Sequence, residues 1–262
     1  MFEDYDCPMP DADAYLQRIG MSAPENGPTL EYLDELICRH QCSVPFENLD
    51  IYDYHCPICL QIPHLYDKIV LRRRGGYCFE LNGLFLQLLK TLGYDAWSCV
   101  CRGLLRPGEA APILHRAVLV RLEGTLYLCD VGFGGPSASC ALPLKENSPR
   151  TALGRTFYVR KNHDTWWTTV QQQPEGEDLE VLSFSTAVME PVDFIPLSYY
   201  CSTEESSYFR SQRMASLRTP DGSISISGMT FKETAGNHVR ETVLHSKEEL
   251  TEILRSRFGM LL

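Results

Sequence analysis

The sequence has no apolar run near the ~20 residues that a membrane span requires, so it predicts no transmembrane segment. Positive charge is also in short supply. Twenty-four Lys and Arg against 34 Asp and Glu leave a net charge of −10, which argues against nucleic acid or an anionic membrane as partner. The opening residues, Met1-Phe-Glu-Asp-Tyr-Asp6, are acidic and lack the basic and apolar regions of a secretory signal. There is no internal repeat and no low-complexity linker, and the polar stretch Gln171 to Asp178 reads as a loop within a domain. Cysteine, by contrast, is plentiful. Eleven of them, an odd number, in a chain of 262 residues that is too large to need stapling predict reduced thiols and a cytoplasmic location. A hydrophobic content of 44% is ample for a core divided among two or three subdomains.

Residues 11–92 carry helical signals. Asp11 caps a short helix that Gly20 ends, and Thr29 caps a second with Leu30, Leu33, Leu36 and Ile37 along one stripe, stopping before Pro45. From Phe79 to Leu92, apolar residues recur at spacings of two, three and four, a largely buried helix closed by Gly93. Residues 96–190 change period. Segments starting at Trp97, Ala117, Leu126, Thr156, Trp166 and Leu179 read as six strands, with hairpin turns at Glu123-Gly124 and Asn162-His163-Asp164. Such a series predicts an antiparallel barrel or sandwich. In the tail, Pro220-Asp221-Gly222 turns into an alternating strand at Ile224, and Ser246 to Glu249 is a capping box for a last helix that Gly259 closes.

The chemistry centres on Arg74-Gly-Gly-Tyr-Cys78. Cys78 falls in the first turn of the buried helix, where free N–H groups and the helix dipole favour a thiolate. The two preceding glycines allow a sharp turn and close backbone approach. A thiol nucleophile needs a base and the base an orienting group. Of seven histidines, His115 is best placed, at the mouth of a strand after the breaker-rich segment Arg106 to Pro112. Fifteen positions later Asp130 ends the next strand, and the intervening turn brings the two opposite each other as neighbours across the hairpin. A competing constellation is metal: Cys38-x3-Cys42, His55-Cys56-Pro-Ile-Cys59 and His64 lie close in sequence. The first pair sits on a helix and no second Cys-x2-Cys knuckle follows, so no metal ligand is assigned. Gly132-Phe133-Gly134 has no lysine in P-loop spacing and reads as a wall where a flat substrate meets exposed backbone.

Together these motifs resemble the arylamine N-acetyltransferase family. Arg74-Gly-Gly-Tyr-Cys78-Phe-Glu-Leu-Asn82 is similar to its nucleophile motif, and His115 and Asp130-Val-Gly-Phe-Gly134 match the rest of its triad in order and spacing. Pro45-Phe-Glu-Asn-Leu49, Ser198 to Ser202, Asp221 to Gly228 and Leu254 to Gly259 extend the likeness to essentially the whole chain. The resemblance implies an α+β fold: a helical bundle over residues 1–93 carrying the cysteine, an antiparallel β-barrel over 94–193 carrying His and Asp, and an α/β lid over 194–262. It also implies that Phe46 and Phe133 line the acceptor pocket, that backbone at Gly132, Phe133 and Gly134 meets the acyl donor, and that Glu47 pairs with Arg74 behind the cysteine. Residues 110–114 lack the hydroxyl residues that some members carry before the histidine.

The implied reaction is ping-pong N-acetylation of arylamines and arylhydrazines, and O-acetylation of N-arylhydroxylamines, through acetyl-Cys78. Acetyl-CoA is then a co-substrate, with no permanently bound cofactor and a small aromatic amine or hydrazine as partner. Two alternatives use the same triad: a thiol hydrolase or transglutaminase-like enzyme, and a macrolactam-forming amide synthase. A zinc-bound interaction module is the remote one.

Overall fold

The computed structural model describes residues 2–105, 108 and 111–262, so the segment Arg106 to Pro112 lies mostly outside the described residues. Helix α1 (Ala12–Arg18) starts where the Asp11 carboxylate accepts the Ala14 N–H and ends before Gly20 at φ +71°. Helix α2 (Leu30–Ser43) is capped by the Thr29 hydroxyl and buries Leu33, Leu36 and Ile37. The chain then forms a two-residue strand β1 (Phe46–Glu47) and short helices α3 (Leu49–Tyr52) and α4 (Ile62–Tyr66). Helix α5 (Cys78–Thr91) follows, buried over its first three turns and closed by Gly93 at φ +86°. Cys78 is its first residue, as the apolar period anticipates.

Eight antiparallel strands form a nearly closed barrel in the order β5-β4-β3-β2-β9-β8-β7-β6. They are β2 (Asp95–Gly103), β3 (Ile113–Leu122), β4 (Thr125–Cys129), β5 (Leu142–Pro143), β6 (Arg150–Ala152), β7 (Arg155–His163), β8 (Trp166–Gln171) and β9 (Leu179–Ser185). The six expected strands are all present; β5 and β6, two and three residues long, are too short to carry a periodic signal. They are also the barrel's edges. Arg150 of β6 reaches Ala141 O beside β5 at 3.0 Å and Asp34 of α2 at 2.6 Å, so the helical layer pins this seam. One turn sits later than expected. Strand β7 runs through His163, and the chain reverses at Asp164-Thr165 because a bulge between Lys161 and His163 shifts the register.

After α6 (Phe194–Thr203) and α7 (Tyr208–Ser211), the tail makes a meander of β10 (Met214–Thr219), β11 (Gly222–Ser227), β12 (Thr230–Ala235) and β13 (His238–Val243), then α8 (Lys247–Phe258). Ala215, Ile224, Ile226 and Phe231 turn one sheet face to Leu250, Leu254 and Phe258 of α8. At the head of α8, Ser246 accepts the Glu249 N–H, while the Glu249 carboxylate reaches His245 N at 2.7 Å, one residue earlier than the usual box. Strand β1 joins this sheet: Phe46 pairs with Ser216 and Glu47 with Ala215, while Phe46 also bridges Gly76. The segment before the nucleophile is thereby stitched to the end of the chain. No helix among the described residues is long and apolar enough to cross a membrane.

Candidate active site

Glycines 75 and 76 are required by crowding rather than by a left-handed turn. A Cβ on Gly75 would lie 2.0 Å from Pro45 O, and one on Gly76 would lie 2.8 Å from Glu80 Oε2. Around this loop runs a chain of buried charges. Lys68 Nζ meets Glu80 Oε1 at 2.7 Å and Asp50 Oδ2 at 2.6 Å, while Arg74 meets Glu47 at 2.8 Å and Asp50 at 2.9 Å. Glu80 also accepts the Tyr77 N–H at 3.1 Å, and Glu47 accepts the Leu49 N–H at 2.8 Å. The expected Glu47–Arg74 pair is therefore one of four linked ion pairs. Burial raises the Asp50 carboxyl, but Lys68 and Arg74 outweigh it and hold it below the usual range. The network fixes where the polypeptide enters α5, and so where Cys78 sits.

Cys78 is 2% exposed. Its Sγ lies 3.9 Å from Leu114 O, and the Arg116 and Phe79 backbone N–H groups favour its thiolate, so the thiol straddles the main chain at His115. Burial opposes these groups and pushes the thiol well above its usual value, with Cys201 and Asp130 adding to the rise. The helix start alone therefore does not make a free thiolate. A cation brought beside the sulfur would be needed to hold the charge.

His115 and Asp130 do meet. Nε2 and Oδ2 are 2.8 Å apart and both side chains are buried. They are not directly opposite in the ladder, however. Leu122 pairs with Thr125 and Val118 with Cys129, which sets Asp130 two positions short of the partner of His115. The chain leaves the ladder after Cys129, and the contact is a diagonal one on a shared face. Asp130 Oδ1 accepts from Asn82 Nδ2 at 2.9 Å and from Gly132 N at 2.9 Å. Burial raises the Asp130 carboxyl, but His115, Asn82 and Gly132 together take it below the ordinary carboxylate value.

Asn82 is the residue that sequence reasoning missed. It is fully buried, donates also to Arg116 O at 2.6 Å, and accepts the Val131 N–H at 3.0 Å. Its position four residues after Cys78 puts both on one face of α5, and that spacing was the available signal. Gln41 of α2 is a second such fastener, donating to Asp130 O at 2.8 Å and Ala138 O at 2.9 Å. Nothing local marks it.

Over His115 the Phe133 ring stands edge-on, with centroids 5.1 Å apart at 73°. Phe46, Phe133 and Gly134 line a cleft of about 590 Å³ with Leu114, Phe209 and Met214. A Cβ on Gly134 would lie 2.6 Å from the Phe46 ring, so glycine there lets the loop lie flat on that ring. Gly132 stands apart from the cleft. It is buried, and a Cβ on it would lie 3.1 Å from Cys78 Cα and 2.9 Å from Asn82 Nδ2. Its N–H is turned to Asp130 Oδ1. The cysteines considered for metal do not converge: Cys59 bonds Gln61, Cys56 bonds Tyr54 O, and no three His, Cys, Asp or Glu side chains are gathered as ligands among the described residues. All eleven cysteines are free thiols.

A model of the N-acetyltransferase family matches residues 29–262. The arylamine N-acetyltransferase / N-hydroxyarylamine O-acetyltransferase of Salmonella typhimurium is 29% identical over 252 residues, covering 94% of this chain and 88% of that protein. The arylamine N-acetyltransferase of Mycobacterium tuberculosis is 30% identical over 256 residues, covering 95% and 89%. Among solved structures, the S. typhimurium enzyme has a TM-score of 0.90 at 27% identity over 97% of this chain and 92% of that one. The Mycobacterium marinum enzyme in complex with CoA has a TM-score of 0.88 at 28% identity, over 96% and 93%. Fold and sequence agree that this chain belongs to the arylamine N-acetyltransferase family and is an acyltransferase.

Proposed function

We propose that the protein transfers acetyl groups from acetyl-CoA to arylamines and arylhydrazines, and to the oxygen of N-arylhydroxylamines, through a covalent acetyl-Cys78. The observation that carries this reading is the buried His115–Asp130 pair, 2.8 Å apart, with His115 next to Leu114, whose backbone carbonyl accepts from the Cys78 thiol. Asp130 occupies Nε2, so Nδ1 is the nitrogen left to serve the thiol. The proton moves from Sγ to His115, and Asp130 stabilises the imidazolium so formed. The thiolate adds to the thioester carbonyl, the C–S bond to CoA breaks, and His115 returns the proton to the departing thiolate. An aromatic amine, neutral at pH 7, then adds to the acetyl-cysteine carbonyl. His115 takes the N–H proton and gives it to Sγ as the cysteine leaves.

The apolar cleft suits both halves. Phe46, Phe133 and Phe209 offer flat faces to an aromatic acceptor, and an apolar site slows hydrolysis of the thioester. Ligands named for relatives, CoA for the M. marinum enzyme and N-hydroxyarylamines for the S. typhimurium enzyme, fit the same reading. Neither Cys56 nor Cys59 takes part. The test is turnover by the purified protein with acetyl-CoA crossed against anilines, hydrazines and water. N-acetylarylamine production that Cys78→Ser abolishes is expected. Thioester loss equally fast without amine would make the protein a hydrolase and overturn the proposal.

A further inference from the structure

A second cavity, of about 280 Å³, lies on the other side of the Phe46–Gly134 contact and shares Phe133 and Gly135 with the cleft. Its lining contains two arginines and no acid, in a protein of net charge −10. One wall is the polar face of the C-terminal sheet, where Ser216 pairs with Ser225 and Arg218 with Ser223. Cross-strand partners point to the same side, so three hydroxyls and a guanidinium face the cavity together. Arg218 uses one nitrogen, Nη2, on Gly135 O at 2.9 Å and Ser137 O at 3.3 Å, which leaves Nε and Nη1 without a bond among the described residues.

The facing wall holds Arg155. It precedes Phe157 and Val159 in β7 at the inward-facing spacing, so it occupies a barrel-interior position at the barrel's mouth. Its guanidinium is half-buried and has no hydrogen bond or ion pair among the described residues. Burial without a carboxylate lowers its pKa. Arg213 and Arg74 in the same protein each have a carboxylate within 2.9 Å. A guanidinium drawn from water with nothing opposite is unfavourable unless a ligand supplies the anion.

We propose that this cavity is an anion site for a phosphate group, held between the Arg155 and Arg218 guanidinium forks and the Ser223 and Ser225 hydroxyls. Arginine forks match phosphate oxygens in pairs, and hydroxyls fill the remaining acceptors. Because the cavity shares a wall with the cleft, the phosphate has two possible sources: the phosphate-bearing end of the acyl donor, or a separate phosphate ligand. The first source rests on the acetyl-CoA reading above, whereas the second does not.

Isothermal titration with adenosine 3′,5′-bisphosphate and with inorganic phosphate, on wild type, Arg155→Gln, Arg155→Lys and Ser225→Ala, tests the site. Arg155→Gln is expected to weaken at least one probe by about tenfold or more, the scale of a lost charge-assisted hydrogen bond. Arg155→Lys should lose less, because charge remains without the fork. If the donor is the source, the ratio of KM for acetyl-CoA to KM for acetyl-pantetheine rises by the same factor. If a separate ligand is the source, that ratio holds while inorganic phosphate binding falls. Ser225→Ala, on the opposite wall, should weaken the same probe and provides a reading that does not depend on how Arg155→Gln folds. Wild type that binds neither probe, or probes that bind Arg155→Gln and Ser225→Ala as tightly as wild type, would overturn the proposal. Failure of acetyl transfer alone would leave the inorganic phosphate result standing.

Discussion

Replacing Asp130 by asparagine separates the orienting role of this residue from its bulk. The new amide is constrained by its neighbours: Asn82 Nδ2 and Gly132 N both donate at 2.9 Å to the position of Oδ1. The amide oxygen must therefore sit there, and the amide NH₂ must face His115 Nε2. Flipping it would set donors against two donors, at about 1–3 kcal/mol each. With NH₂ opposite, Nε2 is forced to accept and the imidazole proton moves to Nδ1, the nitrogen meant to take the thiol proton. The imidazolium also loses its carboxylate. General-base work is worth about 10²–10⁴ in rate, or roughly 2.7–5.4 kcal/mol at about 1.36 kcal/mol per tenfold. The assay is the rate of acetyl-enzyme formation in a single turnover, followed by intact mass, with thermal unfolding as the control for folding. Asp130→Asn that folds and retains more than about a third of the wild-type rate would refute this reasoning.

Four further outcomes are expected. His40 is fully buried with Nδ1 2.6 Å from the Tyr15 hydroxyl, and burial lowers its pKa from 6.5 to about 3. Between those values the unfolded chain binds a proton that the folded one does not, so stability is complete above about pH 6.5 and falls by up to about 1.4 kcal/mol per pH unit below it. Denaturant titrations from pH 7 to 4 should show that slope, and His40→Gln should reduce it. Lys68→Met leaves buried Glu80 without its cation and Asp50 with Arg74 alone, and should destabilise by about 3–5 kcal/mol in urea unfolding. Gly75→Ala drives a Cβ into Pro45 O and should lower the melting temperature by several degrees or abolish folding, whereas Gly93→Ala meets open space and is penalised only for its φ of +86°. Cys56→Ser with Cys59→Ser, at an exposed and a half-buried thiol, should stay within about 0.5 kcal/mol of wild type and keep its activity.

What the sequence made legible was local. Helix caps at Asp11, Thr29 and Ser246, the apolar period of α5 and the Glu123-Gly124 turn each lie within a few residues of their consequence. The His115–Asp130 pair was readable because its two members flank one hairpin. The joining of β1 to β10 was not readable, since two residues without periodicity pair with a partner about 170 positions away. Strand β13 was equally silent because all six of its residues are exposed, leaving no alternation of apolar and polar positions. The Lys68–Asp50–Glu80 links depend on three separate segments meeting, and sequence spacing carries no trace of that. Expecting the helix start to acidify Cys78 overlooked burial, which depends on the whole fold closing over the sulfur.

The central claim is that Cys78 carries the acyl group between two substrates, and the fate of that group is its most direct test. Acetyl-CoA alone should add one acetyl group to the intact protein, mapped to Cys78 among eleven cysteines by peptide mass. Adding an arylamine should then remove the group and yield one equivalent of N-acetylarylamine, with discharge to water far slower. An acetyl group on another cysteine, or an acetyl-Cys78 that water discharges as fast as the amine does, would contradict the account.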